Sequence, residues 1–126
     1  VYLQLNLQSE VPIYTQILHQ IMEGIARKEL KPGEPLPSVR SLASDIGVNL
    51  HTVNKAYNLL KQGGYVQVHR KSGVIVNPDP IPAATEEDLE RIQAELRPLI
   101  SEAICKGLSE DDFEKLYRAV YRDILN

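Results

Sequence analysis

Between Leu36 and Gly64 the chain reads LPSVRSLASDIGVNLHTVNKAYNLLKQGG. Ser38, Arg40, Asn49, His51, Thr52, Asn54 and Lys55 fall within this stretch. They are hydrogen-bonding or cationic groups of the kind that meet phosphate oxygens and base edges. Arg40 offers a planar, permanently charged fork suited to a phosphate or to guanine O6 and N7. Asn54 carries the paired donor and acceptor that match an adenine edge. His51 and Lys55 can each touch base or backbone, and residue type alone separates them weakly because phosphate contacts outnumber base contacts. Arg70 and Lys71, further along, add delocalised positive charge. This is the chemistry of recognition. His19, His51 and His69 show neither ligand nor dyad spacing. Gly-rich phosphate loops, paired carboxylate motifs and CxxC are missing from the sequence. Glu110-Asp111-Asp112 suits helix capping better than a metal. No catalytic residue, metal site or cofactor is expected, and the chain reads as a non-enzyme.

Two short helices must position these groups. The first starts at Ser38, a good N-cap after Pro37, and turns Val39, Leu42, Ala43 and Ile46 inward. Asp45-Ile46-Gly47-Val48 breaks the pattern. The second runs from an Asn49 cap to about Gln62, with Val53, Ala56, Tyr57 and Leu60 inside and His51, Asn54, Lys55 and Asn58 outside. Two helices joined by a tight Gly-containing turn form a helix-turn-helix pattern, and a major groove accepts such a second helix. An ordinary helical pair is the bland alternative.

Upstream, Leu3 to Leu7 alternate strictly and predict a short strand. Ile13, Ile17, Ile21 and Ile25, supported by Tyr14, Leu18 and Met22, predict an amphipathic helix from near Pro12 to about Lys28. Lys31-Pro32-Gly33 stops it, and Glu34 to Pro37 is an extended connector. Downstream, Tyr65–Val68 and Gly73–Val76 predict a hairpin with a basic tip at His69–Ser72. A lone hairpin is marginal, so it must lean on the helices or add the Leu3–Leu7 strand. A basic tip alone would be a solvated turn, but three helices followed by this hairpin describe a winged helix.

Three prolines between Asn77 and Pro82 predict a stiff, extended linker. Thr85 then caps a helix with an apolar stripe through Leu89, Ile92, Leu96, Leu99, Ile100, Ala103 and Ile104, which Pro98 should kink or break. Ser109 caps the last helix, where Phe113, Leu116, Tyr117, Val120, Tyr121, Ile124 and Leu125 are apolar or aromatic. A pair of helices cannot bury stripes this broad by itself. A second copy is the simplest partner, with Leu89, Ile92, Leu96, Ile100, Phe113, Leu116, Tyr117, Val120 and Ile124 as candidate dimerisation residues. Folding back onto the front domain is the alternative.

The 126 residues allow one small domain with an appendage. Residues 1–80 hold eight Lys or Arg against six Asp or Glu, and residues 81–126 hold six against eleven. The acidic rear is therefore not expected to touch nucleic acid, while the front can. No apolar run is long enough to span a membrane, and no secretory signal is expected. The single Cys105 excludes an intramolecular disulfide and suits a reducing, cytoplasmic setting. Its place on the apolar side of a helix predicts a buried thiol.

Leu36-Pro37-Ser38-Val39-Arg40 resembles the start of the helix-turn-helix in GntR-type bacterial transcription regulators. Gly47 to Leu60, Gly64-Tyr65-Val66 and Gly73–Val76 continue the likeness, and Val11 to Ile17 and Leu30 to Ser38 are similar to the family's first helix and its approach to the turn. With only some forty-five residues after the linker, the chain resembles the short YtrA-like branch, in which two helices dimerise the protein and ABC transporter operons are often repressed. The resemblance implies that Arg40 contacts DNA, that Asn49 and Thr52 bind phosphate, and that His51, Asn54 and Lys55 face the groove. Two positions depart from the family. Leu50 stands where many members carry Arg, and Arg70-Lys71-Ser72-Gly73 replaces the usual Gly-x-Gly of the wing.

The expected architecture is mainly α with a small β wing: a winged helix-turn-helix domain at 1–77, a linker at 78–84 and a two-helix dimerisation hairpin at 85–126. The expected partners are double-stranded DNA and a second copy, with Ser38, Arg40, Asn49, His51, Thr52, Asn54, Lys55, Arg70 and Lys71 as DNA-binding candidates. The competing reading is a winged-helix protein-interaction module. The sequence names no small-molecule effector. Two helices leave little room for a closed pocket, and Tyr117 and Tyr121 suit an interface core.

Overall fold

The computed structural model describes residues 3–126, which divide into two units at the boundary between Ile81 and Pro82. In the first, α1 (Ile13–Ala26), α2 (Val39–Ile46) and α3 (Leu50–Gln62) precede a hairpin of β1 (Val66–His69) and β2 (Gly73–Val76). Each helix arises where apolar residues recur at helical spacing. Ile17 and Ile21 of α1, Leu42 and Ala43 of α2, and Val53, Ala56, Tyr57 and Leu60 of α3 are buried together with Leu36, Val66, Val74 and Val76. Ile13, Ile25, Val39 and Ile46 pack at the margin of this core. The helix α1 ends at Ala26, two residues short of the expected Lys28. Lys28 takes a left-handed φ of 64°, and the Glu29 and Leu30 amides donate to the Gly24 carbonyl. Gly47 closes α2 at φ 68°, a conformation that costs glycine little, and the Val48 amide donates back to Ala43. That single residue turns the chain from α2 into α3.

The expected strand at Leu3–Leu7 does not form. Its alternation holds only in part: Leu3 and Leu5 pack against the core, whereas Leu7 lies in a turn and is 73% exposed. The backbone partners come instead from two glutamines of α1. Gln20 accepts from the Gln4 amide (2.8 Å) and donates to the Gln4 carbonyl (2.6 Å), and Gln16 does the same at Asn6 (2.8 and 3.0 Å). The geometry fits because two residues of extended chain advance about 6.7 Å and four residues of helix about 6 Å. Each side-chain amide therefore stands in for a peptide group of a neighbouring strand.

The hairpin is antiparallel, with Val66 opposite Val76 and His69 opposite Gly73. Its third member is the Glu34–Leu36 connector rather than Leu3–Leu7. Leu36 N donates to Val74 O, Val76 N donates to Glu34 O, and Pro35 pairs with Ile75. Proline is tolerated there because the connector lies at an edge. Asn77, a buried polar residue, locks the end of β2. Its Nδ2 donates to Gly64 O, and its Oδ1 accepts from Gln67 Nε2 and the Asp79 amide.

The second unit holds α4 (Glu86–Cys105) and α5 (Glu110–Leu125). Both start on reciprocal capping boxes, Thr85 with Asp88 and Ser109 with Asp112. Backbone and hydroxyl donation from Thr85, with Arg91 beside it, holds the Asp88 carboxyl below its usual range. Ser109 does the same for Asp112. Pro98 does not break α4, which continues to Cys105. A proline removes one intrahelical bond, and the strong cap with uninterrupted turns on both sides carries the helix past it. Cys105 is exposed, contrary to the buried thiol expected, because the unit leaves most of the apolar stripe of α4 uncovered, Leu99 and Ile104 included. The two helices do not pack along their lengths, and Ala103, beside the turn, is the one buried residue of the unit.

Candidate nucleic-acid interface

All the candidate DNA-binding residues lie in the first unit, and their placement follows from local capping. Ser38 Oγ accepts the Ser41 amide (3.0 Å) and starts α2, which leaves Arg40 exposed in its first turn. Asn49 Oδ1 accepts the His51 amide (2.7 Å) and starts α3, so its Nδ2 stays available as a donor. His51, Asn54 and Lys55 are exposed on the side of α3 opposite the core, and Thr52 is half-buried between them and Val53. Leu50, the first residue of α3, is 40% exposed, an apolar group on an otherwise polar face. Arg70 and Lys71 sit exposed in the turn between β1 and β2, and His69 bonds Gln67 at the strand end (2.8 Å). The fold thus presents the polar face of α3, the start of α2 and a basic hairpin turn on one small body.

Two features of this surface were not legible in the sequence. Tyr57 OH donates to Pro37 O (2.7 Å), which ties the middle of α3 to the residue preceding the α2 cap. Burial pushes the Tyr57 hydroxyl up to about 12. The Lys55 ammonium lies over the Tyr14 ring, 4.1 Å from its centre. No local pattern predicts either contact, because each joins residues far apart in the chain.

In the second unit an open apolar cleft of about 860 Å³ lies along α4 and α5, lined by residues that include Ile92, Leu96, Ile100, Phe113, Tyr117 and Tyr121. The dimerisation candidates are largely uncovered: Leu116 is 52% and Val120 58% exposed, while Phe113 and Ile124 are half-buried. Among the described residues no group of three or more His, Cys, Asp or Glu is placed to hold a metal ion, and no helix is long and apolar enough to cross a membrane.

Three helices, a recognition-type second helix and a basic hairpin wing define a winged helix-turn-helix DNA-binding regulator. The chain belongs to the gntR family of bacterial regulatory proteins, whose model matches residues 13–76. It is 31% identical to the HTH-type transcriptional repressor YtrA of Bacillus subtilis, over 97% of this chain and 94% of that one, which makes it a YtrA-like member. It is similar in structure to a transcriptional antiterminator from Listeria monocytogenes, with a TM-score of 0.90 and 28% identity over 100% of this chain and 94% of the other. The DNA-binding domain of AraR, solved in complex with operator ORE1, matches 60% of this chain and 93% of its own length, with a TM-score of 0.50 and 25% identity. The protein is a DNA-binding transcription regulator and not an enzyme.

Proposed function

We propose that the chain acts in the cytoplasm as a homodimeric repressor of an inverted-repeat operator. Residues 1–77 read DNA, 78–84 space the two heads, and 85–126 hold the copies together. The observation that carries this reading is the unmatched apolar surface of α4 and α5 beside a reading head that has its own closed core. A second copy covers Leu89, Ile92, Leu96, Ile100, Phe113, Leu116, Tyr117, Val120 and Ile124, and a two-fold dimer reads two symmetric half-sites. In each head α3 enters the major groove. His51 and Asn54 meet base edges there. Ser38, Asn49 and Thr52 hold phosphates, Arg40 takes a phosphate or a guanine, and Lys55 also faces the DNA. Arg70 and Lys71 steady the wing on the backbone.

Repression needs only that the bound dimer block polymerase, and the likeness to the repressor YtrA supports that direction. Resemblance to the same branch makes an ABC transporter operon the expected target. Two measurements test the reading together. Sedimentation equilibrium is expected to give a dimer. A fluorescence titration is expected to give tight binding to the fragment upstream of the gene, with weaker binding to a scrambled one. A monomer overturns the assembly. Absence of binding even at low salt, with the fold intact, promotes the protein-interaction alternative.

A further inference from the structure

Among the described residues, Lys55 is the candidate on α3 whose side chain meets a partner outside its own helix. Its ammonium sits 4.1 Å from the centre of the Tyr14 ring, and α1 and α3 pack against each other. Among the described residues no carboxylate pairs with it. A free lysine is a flexible stem that samples many directions, and an aromatic face restricts it by attracting the cation. The restriction draws the charge off the crest of α3 toward the start of α1. A compact ammonium there suits a phosphate oxygen, which needs a point charge, rather than a base edge, which rewards a planar fork. One side of the ammonium faces the ring and the others stay open, since Lys55 is exposed.

The geometry points to Tyr14 as a positioning residue that makes Lys55 a backbone clamp and leaves base reading to His51 and Asn54. This rests on the reading of α3 as the groove helix. Tyr14 is half-buried at the first turn of α1, so its ring is fixed from below by the core while its face stays available to the cation. The ring is the working part and the hydroxyl is not.

The test uses the full chain and two labelled duplexes, one selected from a random pool by the wild-type protein and one of mixed sequence, each titrated across a salt series. K55A is expected to weaken both duplexes by the same factor and to flatten the salt dependence by about one released ion. Y14L is expected to weaken binding about two- to fivefold, the worth of an exposed cation–π contact. Y14F is expected to bind like wild type, and Y14L is expected to add nothing in a K55A background. Loss of discrimination between the duplexes in K55A would make Lys55 a base reader and overturn the clamp. An equal loss from Y14L with and without Lys55 would reduce Tyr14 to a packing residue. Binding unchanged in K55A would remove Lys55 from the DNA altogether, a failure of the underlying placement and not of the coupling alone. Nuclear magnetic resonance of the wild-type protein needs no Tyr14 variant. Lys55 Hε protons are expected upfield from the ring current, and unshifted protons would overturn the contact.

Discussion

The two units of this chain solve the same problem differently. In the first, three helices and a hairpin close on one another until Ile17, Val53, Ala56 and Leu60 are fully out of water. In the second, two longer helices with good caps leave Leu116, Val120, Tyr121 and Ile104 half or more exposed. Local helix strength is high in both. What differs is whether the apolar faces find partners within the unit. A small body with its own core can present polar side chains in fixed positions, as a reading head requires. A pair of helices without one leaves its apolar faces in water, and in the proposed dimer its stability is tied to association.

That contrast is open to direct attack. The largest effect is expected from Ile100→Glu, which puts a charge into the uncovered face. It is expected to give monomers by sedimentation and to cost about 10²- to 10⁴-fold in operator affinity, the usual gain from joining two reading heads. The first unit is expected to keep its circular dichroism and its weak binding to single half-sites. Retained dimers would erase the distinction drawn between the units. Ile17→Ala probes the other side. A cavity in a closed core is expected to cost about 2–5 kcal/mol in urea unfolding, with a midpoint for the first unit that does not move with protein concentration.

Tyr57→Phe sharpens the picture within the head. Loss of the bond to Pro37 leaves a carbonyl short of its partner and is expected to cost about 1–3 kcal/mol. The wild-type head also carries an alkaline weakness. The buried hydroxyl ionises near 12, against about 10 in the unfolded chain, so its contribution is complete below pH 10 and is lost as pH rises toward 12. Thermal melts across that window are expected to fall more steeply for wild type than for the variant. The smallest effect is expected from Asp112→Asn in the second unit. The Asp112 carboxyl is held low by Ser109, so its support for α5 is present above the ordinary carboxylate range and fades as pH falls through the lowered value. The variant is expected to flatten that acid limb slightly, and an unchanged limb would remove the cap from the account.

Periodicity located α2, α3 and the hairpin because each is decided by neighbours a few residues apart. The caps at Ser38, Asn49, Thr85 and Ser109 were legible for the same reason. At Leu3–Leu7 the alternation gives the facing of Leu3 and Leu5, but neither the kind of structure nor the exposure of Leu7. Alternation reports which side chains turn inward, but not whether a strand or a pair of glutamines completes the backbone. The place beside β2 went to Glu34–Leu36, a connector whose prolines argued against pairing. Exposure of Cys105 was not legible because a helical stripe shows which face is apolar and not whether the unit itself covers that face; Leu99 and Ile104 of the same stripe are exposed too. Of the candidate interface, the residue types were legible. The Tyr14–Lys55 and Tyr57–Pro37 contacts were not, because they depend on how one helix crosses another.

The glutamine pair on α1 has a consequence for how this protein tolerates change. Gln16 and Gln20 grip main-chain atoms of Asn6 and Gln4, groups that almost every amino acid supplies alike. The grip is therefore blind to the identity of what it holds. Position 4 is free to drift through most of the amino-acid alphabet, while position 6 is held further by its own side chain, whose Oδ1 accepts the Gln8 amide (3.0 Å), and the two glutamines are not free.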